Sequence, residues 1–201
     1  ADIRSALGAL VDPNTGKDYV STRAVKGIKV SGADVEVDIE LGYPGRSQFE
    51  PLRREVIAAL KKAGAAGTAV KVASKVVSHS VQRGVKLVPG IKNIIAVASG
   101  KGGVGKSTTA VNLALALSAE GASVGMLDAD IYGPSQPMML GIAGRPESKD
   151  GKRIEPMEGH GLQASSIGFL IDIDTPMVWR GPMVTQALEQ LLKDTNWRDL
   201  D

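Results

Sequence analysis

The fold is decided by residues 99–109, which read Ser-Gly-Lys-Gly-Gly-Val-Gly-Lys-Ser-Thr-Thr. They contain the spacing Gly-x4-Gly-Lys-Ser, which is that of a phosphate-binding P-loop. The short apolar run at 94–98 predicts a buried parallel strand before the loop. Residues 107–119 are apolar on most sides and predict a helix that lies against a sheet. A strand, a glycine-rich loop and a helix, in this order, are the setting that a P-loop requires.

The chemistry of such a loop explains its residue types. Glycines allow successive backbone N–H groups to turn inward around a polyphosphate, and the helix N-terminus adds partial positive charge. We expect Lys106 to contact the β- and γ-phosphates and Ser107 to place its hydroxyl on Mg²⁺. The predicted nucleotide-binding residues are Gly100, Lys101, Gly102, Gly103, Val104, Gly105, Lys106, Ser107 and Thr108.

A dinucleotide site is the main alternative for this loop. Gly100, Gly102 and Gly105 also fit the spacing Gly-x-Gly-x-x-Gly, and the acidic Asp128 follows close to the distance of a ribose ligand. We favour a nucleoside triphosphate over NAD because a Rossmann turn has no use for the lysine and two hydroxyls of residues 106–108. A purely structural glycine turn is the least favoured interpretation.

Composition excludes several other classes of protein. The 201 residues are 43% hydrophobic with a net charge of +2, and none is cysteine, so this chain contains no disulfide and no thiolate metal ligand. No apolar run approaches the ~20 residues of a membrane span, and we expect a cytoplasmic protein without membrane contact. Residues 56–119 contain nine Lys or Arg and no acid, but the bases are scattered and aromatics make up only 3%, which argues against nucleic acid.

Two domains are predicted. Residues 1–81 form a small α+β domain, 82–92 a linker rich in turn formers, and 93–201 a P-loop domain. Within the first domain we expect helices at 3–11 and 50–62, a hairpin formed by strands at 28–30 and 35–41, and a third strand at 70–77. The acids of the second strand are interpreted as a solvated face; they are Asp34, Glu36, Asp38 and Glu40.

The second domain is predicted to be an α/β fold, a P-loop NTPase parallel sheet with helices on both faces. A second strand at 123–127 ends at Asp128 and Asp130, and carboxylates at this end of a parallel strand face the ligand crevice. A helix cap or a turn is the alternative role for these acids. We expect a long loop at 141–161 and a third strand near 163–167. Because the sheet has few strands, we expect the chain to be an N-terminal portion of a longer protein.

Three motifs together resemble a known family. Residues 100–108 resemble the deviant Walker A motif of the MinD/ParA/nitrogenase-iron-protein group of dimeric ATPases. Residues 127–135 (Leu-Asp-Ala-Asp-Ile-Tyr-Gly-Pro-Ser) and 179–183 (Trp-Arg-Gly-Pro-Met) look like those of the Mrp/ApbC-type iron–sulfur cluster carriers. The first 80 residues are similar to the small iron–sulfur assembly domain that precedes the ATPase in bacterial members.

The resemblance implies roles for individual residues. Lys101 would reach across a homodimer to the partner's bound phosphates, and with Lys106 and Asp130 it would form the catalytic set for hydrolysis of ATP with Mg²⁺. Asp130 would lie in switch I near the attacking water, and Asp128 beside it, behind the direct Mg²⁺ ligands. The resemblance assigns no role to the segment 179–183, and its plain interpretation is a packed turn near the dimer interface. Iron–sulfur scaffold proteins and apo-acceptor proteins would be the partners.

The chain also departs from this family. Its carriers hold a bridging cluster through a Cys-x-x-Cys pair and have an Asp-containing switch II, and neither occurs here. We favour a partial chain over a degenerate remnant. The leading hypothesis is an ATP-hydrolysing carrier that transfers iron–sulfur clusters. The alternatives are a MinD/ParA-like positioning or partitioning ATPase acting on membrane or DNA, and a nucleotide-gated scaffold without turnover.

Overall fold

The structure is a computed structural model that describes residues 3–78, 88–171 and 180–201. The chain divides into two compact units, Ala1–Val77 and Ser78–Asp201. Most of the predicted linker 82–92 lies outside the described residues, so the proposed domain limits stay a prediction.

The first unit is a three-stranded sheet with two helices. Strands β1 and β2 form an antiparallel hairpin, and β2 pairs in parallel with β3 after the crossover through α2. A tight turn with Gly32 at a positive φ of 63° joins the hairpin strands, where glycine carries no steric penalty. The elements are α1 (Ile3–Gly8), β1 (Val25–Ser31), β2 (Asp34–Leu41), a 3₁₀ turn (Arg46–Gln48), α2 (Phe49–Lys62) and β3 (Gly67–Ser74).

The core of this unit follows from alternation along β2. Every second residue of the strand is buried, from Val35 to Leu41, and these side chains share one hydrophobic cluster with those of α2. Leu52, Val56 and Leu60 recur at helical spacing and give α2 its buried face. Burying each such side chain contributes roughly 1.5–3 kcal/mol. The predicted hairpin and helix are confirmed, whereas the third strand starts three residues earlier than expected.

The acidic face of β2 is confirmed as a solvated, ion-paired surface. Glu36 lies between Lys29 and Lys71, with N–O distances of 3.6 and 2.9 Å, and Glu40 lies 3.4 Å from Lys26. The hydrogen bond from Lys71, assisted by the charge of Lys29, lowers the pKa of Glu36 below its usual range. Cross-strand ion pairs of this kind add a little stability, and in them the carboxylate of Glu36 already has two lysine partners.

A buried carboxylate fixes the first loop of this unit. Asp12 accepts hydrogen bonds from the hydroxyl of Tyr43 at 2.8 Å, from the backbone N–H of Asn14 at 2.9 Å and from the hydroxyl of Thr15 at 3.1 Å. The carboxylate therefore ties its own turn to the loop that follows β2.

The second unit places a mixed sheet beside the P-loop helix. Strand β4 pairs in parallel with β6, and β6 pairs antiparallel with β5, giving the order β4-β6-β5. Its elements are α3 (Lys106–Ala119), β4 (Val124–Leu127), α4 (Gln136–Leu140), β5 (Met157–Gly159), β6 (Leu162–Ser165), a 3₁₀ turn (Ile167–Phe169) and α5 (Gly181–Lys193).

Helix α3 packs on this sheet as its apolar composition predicts. Val111 and Ala114 of the helix share a buried cluster with Met126 of β4 and with Leu162 and Ala164 of β6. Strands β4 and β6 confirm the strands predicted at 123–127 and near 163–167, and their parallel pairing is an additional finding. This pairing also brings the carboxyl ends of these strands, where Asp128 and Ser166 follow, to one edge of the sheet.

The strand predicted at 94–98 is wrong. These residues carry no assigned strand or helix, and Ile94 and Ile95 are 63% and 64% exposed. Among the described residues no strand pairs with them; the nearest ladder contact is the single parallel bridge of Ile91 with Leu200. The apolar run has strand propensity, but a strand needs a neighbour to complete its backbone hydrogen bonds.

Three of the described helices and strands of the second unit were not predicted, and the first of them is the short helix α4. Strand β5 lies inside the stretch 141–161, where we expected only a loop, and α5 occupies residues assigned no helix. Helix α5 contributes Leu191 to a small buried cluster with Ile131 and Ile167.

Candidate functional site

The glycine-rich loop leads directly into helix α3. Gly103 and Gly105 have φ values of 70° and 85°, a region that disfavours side chains, and Gly105 is the residue that caps the helix. A Cβ added at Gly100, Gly102, Gly103 or Gly105 would meet no atom within 4 Å. The loop therefore presents an unobstructed backbone surface on which a ligand can lie close to the main chain.

The start of α3 keeps its hydrogen-bond donors available. No side chain of the described residues caps the helix at Gly105, so the first N–H groups are free to bind an anion. The predicted side chains cluster here: Lys106 and Ser107 are half-buried, while Lys101 and Thr108 are exposed. Ser99 stabilises the loop, because its hydroxyl accepts from the N–H of Lys101 and donates to the Lys101 carbonyl, both at 3.1 Å.

Asp128 is buried and fully engaged. Its Oδ1 accepts from the N–H of Asp130 at 3.2 Å, and its Oδ2 accepts from the N–H groups of Ser135 and Gln136, both at 3.0 Å. The hydroxyl of Ser166 donates to the same Oδ2 at 3.2 Å. The carboxylate thus joins the end of β4, the end of β6 and the segment 130–136. This geometry fits an organising residue beside a Mg²⁺ site rather than a direct ligand, a role that stays a prediction.

Asp130 has the opposite environment. It is exposed, and its Oδ1 accepts a hydrogen bond from the N–H of Gly133 at 3.0 Å. Among the described contacts, none joins Asp130 to Lys106 or Ser107. The structure therefore leaves this carboxylate accessible but does not bring it into contact with the P-loop side chains.

Gln136 is a residue of this site that the sequence did not predict. Its side-chain Nε2 lies 3.5 Å from the backbone carbonyl of Ser107, and the residue is 5% exposed. Helices α3 and α4 are in contact at this point. The only sequence signal was a polar residue at the first position of a short apolar helix, which does not by itself indicate function.

The oxygen donors present fit Mg²⁺ bound together with a triphosphate. Mg²⁺ in such sites takes one or two protein oxygens and completes its shell with phosphate oxygens and water, and Ser107 supplies one hydroxyl at the first turn of α3. Across residues 3–78, 88–171 and 180–201, no three His, Cys, Asp or Glu side chains are grouped to hold a metal ion by themselves. In the same residues no helix is both long and apolar enough to span a bilayer.

Comparison with protein-family models assigns most of the second unit to a family of P-loop NTPases. The family model described as ParA, the NUBPL iron-transfer P-loop NTPase, matches residues 90–201, more than half of the chain. The chain belongs to this family. A second model, described as iron–sulfur cluster assembly protein, matches residues 1–73. The NUBPL-family assignment establishes an ATPase-type nucleotide-binding protein of P-loop α/β fold and confirms the resemblance found in the motifs.

Several curated relatives of this NUBPL-family chain share the name iron–sulfur cluster carrier protein. The iron–sulfur cluster carrier protein of Haemophilus influenzae is 46% identical over 195 residues, covering 94% of this chain and 52% of the relative. That of Escherichia coli K12 is 45% identical over 207 residues, covering all of this chain and 55% of the relative. The chain therefore spans about half the length of these relatives.

One solved structure is also similar. The nucleotide-binding protein from Archaeoglobus fulgidus, in complex with ADP, is 35% identical and matches 52% of this chain and 40% of its own, with a TM-score of 0.44. The family assignment does not depend on this similarity.

The third family motif differs from its expected form. Trp179 lies outside the described residues, whereas Arg180 precedes α5 and residues 181–183 form its first turn. All of these described residues are exposed, including Met183. Residues 181–183 therefore begin a helix and do not form the expected turn, because Pro182 at the first turn favours a helix start. The location of this segment near a dimer interface stays a prediction.

Proposed function

We propose that this chain is the nucleotide-binding part of an ATP-hydrolysing carrier that binds iron–sulfur clusters and transfers them to apo-proteins. The observation that carries the proposal is the open glycine-rich loop at the start of α3 in a NUBPL iron-transfer family chain. The match of residues 1–73 to an iron–sulfur cluster assembly model supports the same direction.

Nucleotide binding rests on residues 100–108. The backbone N–H groups of the loop and of the first turn of α3 surround the phosphates, and Lys106 neutralises charge at the β- and γ-phosphates. Ser107 would hold Mg²⁺, which when bound offsets negative charge on the phosphates. These groups orient the triphosphate for hydrolysis without needing a covalent step.

Hydrolysis is proposed to require a second copy of the chain. Lys101 is exposed, and its ammonium group would reach the phosphates of a facing subunit. Asp130 is exposed beyond the end of β4 and would orient the attacking water. A homodimer therefore completes the catalytic set that one copy holds only in part.

The iron–sulfur cluster is cargo in this proposal. These 201 residues contain no cysteine, so cluster ligation by thiolates is not assigned to any of them. ATP binding between two subunits and its hydrolysis favour different dimer geometries, and a ligand that bridges the subunits is held differently in each. We further propose a cytoplasmic location, with iron–sulfur scaffold proteins as donors and apo-proteins as acceptors.

The nucleotide step is tested with the chain itself. Titration calorimetry with ATP and Mg²⁺ is expected to show binding that Lys106→Ala abolishes. Lys152→Ala, which removes an exposed lysine from the same unit, serves as the matched control and should bind like wild type. Sedimentation with ATP should show a dimer that Lys101→Ala weakens. Equal binding by wild type and Lys106→Ala would refute the P-loop assignment.

The carrier step needs the intact gene product. Anaerobic reconstitution with iron and sulfide should load a cluster, and mixing with an apo-ferredoxin should transfer it, as followed by visible absorbance. An intact protein that binds ATP but acquires no iron would exclude cluster carriage while leaving the nucleotide assignment in place.

A further inference from the structure

Two adjacent buried polar atoms near the P-loop helix have no hydrogen-bond partner among the described residues. They are Oγ of Ser135 and Oε1 of Gln136. An unpaired buried polar group costs about 1–3 kcal/mol, and an apolar side chain of similar shape would avoid that cost. Because buried polar groups in native proteins are normally paired, a buried amide with an unpaired Oε1 directs attention to the contact that its Nε2 makes.

The backbone of this pair is firmly fixed. The N–H groups of Ser135 and Gln136 both donate to Oδ2 of Asp128 at 3.0 Å. Asp128 itself is 5% exposed and accepts two further hydrogen bonds. These contacts fix the main chain at Gln136, and the burial of its side chain, which is 5% exposed, restricts the rotamers it can adopt.

The side-chain amide of Gln136 lies beside the candidate Mg²⁺ ligand. The Nε2 atom of Gln136 lies 3.5 Å from the backbone carbonyl of Ser107, a long distance for an amide hydrogen bond. Gln136 is thus the side chain that connects Ser107 to the segment anchored on Asp128.

We propose that Gln136 is a positioning residue of the Mg²⁺–triphosphate site, which holds the first turn of α3, and with it Ser107, in place. The inference rests on the proposed function, since it requires that Ser107 binds Mg²⁺ together with ATP. Residues that orient a metal ligand from behind change metal affinity by about 10–100-fold when they are substituted. Gln136 acts on Mg²⁺ through Ser107 and does not touch the nucleotide.

The test compares ATP affinity with Mg²⁺ and with EDTA. Gln136→Met keeps the length of the side chain and removes the amide, so it is expected to weaken binding of ATP with Mg²⁺ by about tenfold. Binding of ATP in EDTA should change by less than about twofold, because the loop and Lys106 are intact. Gln136→Leu is measured as a second variant. Gln186→Leu, at an exposed position on α5, is the matched control and should change neither affinity.

Each outcome bears on the inference. A selective loss of the Mg²⁺-dependent affinity supports it. Unchanged affinities, or an equal loss with Mg²⁺ and with EDTA, overturn it while wild-type binding keeps the nucleotide assignment standing. Wild-type binding that does not depend on Mg²⁺ overturns the role of Ser107 and the inference together. Urea unfolding of each variant, followed by tryptophan fluorescence, separates a loss of fold from a loss of metal affinity.

Discussion

Replacing Asp128 by Asn should destabilise the P-loop unit far more than the conservative chemistry suggests. Oδ2 of Asp128 accepts hydrogen bonds from three donors and Oδ1 accepts one, and each of the four donor–acceptor distances is at most 3.2 Å. An Asn side chain has one oxygen, so at best it keeps the three donors of Oδ2 and turns its NH₂ group toward the N–H of Asp130.

The magnitude follows from these contacts. Hydrogen bonds to a charged group contribute about 1.5–3 kcal/mol each, against about 0.5–1.5 kcal/mol for neutral pairs. Asp128→Asn loses one such bond and weakens three, while the smaller desolvation penalty of a neutral side chain offsets part of the loss. We expect the free energy of unfolding to fall by about 2–3 kcal/mol, and further for Asp128→Ala.

Tryptophan fluorescence measures this change selectively. Both tryptophans of the chain, Trp179 and Trp197, belong to the unit of residues 78–201, so fluorescence during urea unfolding reports that unit alone. With a slope of about 1–3 kcal/mol per molar urea, the midpoint should fall by roughly 0.7–3 M. Asp150→Asn is the control: this carboxylate also accepts two backbone N–H groups, but it is exposed, so water can replace the lost interactions and the midpoint should fall much less. An Asp128→Asn midpoint equal to that of wild type would refute the reasoning.

Three further predictions concern other parts of the chain. Gly90→Ala should lower the urea midpoint, because an added Cβ would lie 2.7 Å from the carbonyl oxygen of Trp197. The positive φ of 79° at this position adds a backbone penalty of about 1–2 kcal/mol for a residue with a Cβ. A Gly90→Ala variant as stable as wild type would contradict this packing. Partial burial by itself would raise the pKa of Asp201, but the hydrogen bonds from Lys92 and from a backbone N–H hold that pKa below its usual 3.8. Lys92→Met should therefore remove about 0.5 kcal/mol of stability, the value for a partly exposed pair, at pH values above 3.8, and this loss should disappear as the pH falls through the lowered pKa of the folded state. A difference in stability between wild type and Lys92→Met that grows in acid would contradict this prediction. Tyr43→Phe removes the hydroxyl that donates a hydrogen bond to the buried Asp12. Amide hydrogen exchange in residues 3–77 should therefore become faster by a factor that corresponds to about 1–3 kcal/mol, and exchange at wild-type rates would contradict this prediction.

Elements with a strong local pattern could be predicted from the sequence. The alternation of Val35 to Leu41 with acids specifies a half-buried strand, and the spacing of Leu52, Val56 and Leu60 specifies one buried helix face. The P-loop motif located the start of α3 to within one residue. In each case the periodicity of the residues and the environment of the element agree, so the local signal is sufficient.

Features that depend on distant neighbours could not be predicted. The run at 94–98 has the composition of a buried strand, but only a paired neighbour would turn that propensity into a strand. Strand β5 is three residues long and exists because β6 completes its ladder. The link between Gln136 and Ser107 joins residues 29 positions apart, so no local pattern records it. Burial of Asp128 likewise depends on Ser166, which the parallel pairing of β4 and β6 brings to the same edge.

The mixed sheet of the second unit also limits polymerisation through its strand edges. An edge strand with unpaired N–H and C=O groups is a template on which another chain can polymerise. At one edge β5 offers only three residues, and at the other the N–H of Asp201 donates to the carbonyl of Ser123, just before β4. A Cβ at Gly125 would overlap Leu200, so a larger side chain there would displace these last residues and uncover β4. Gly125→Val is consequently expected to promote aggregation through strand pairing, even where the nucleotide loop remains intact.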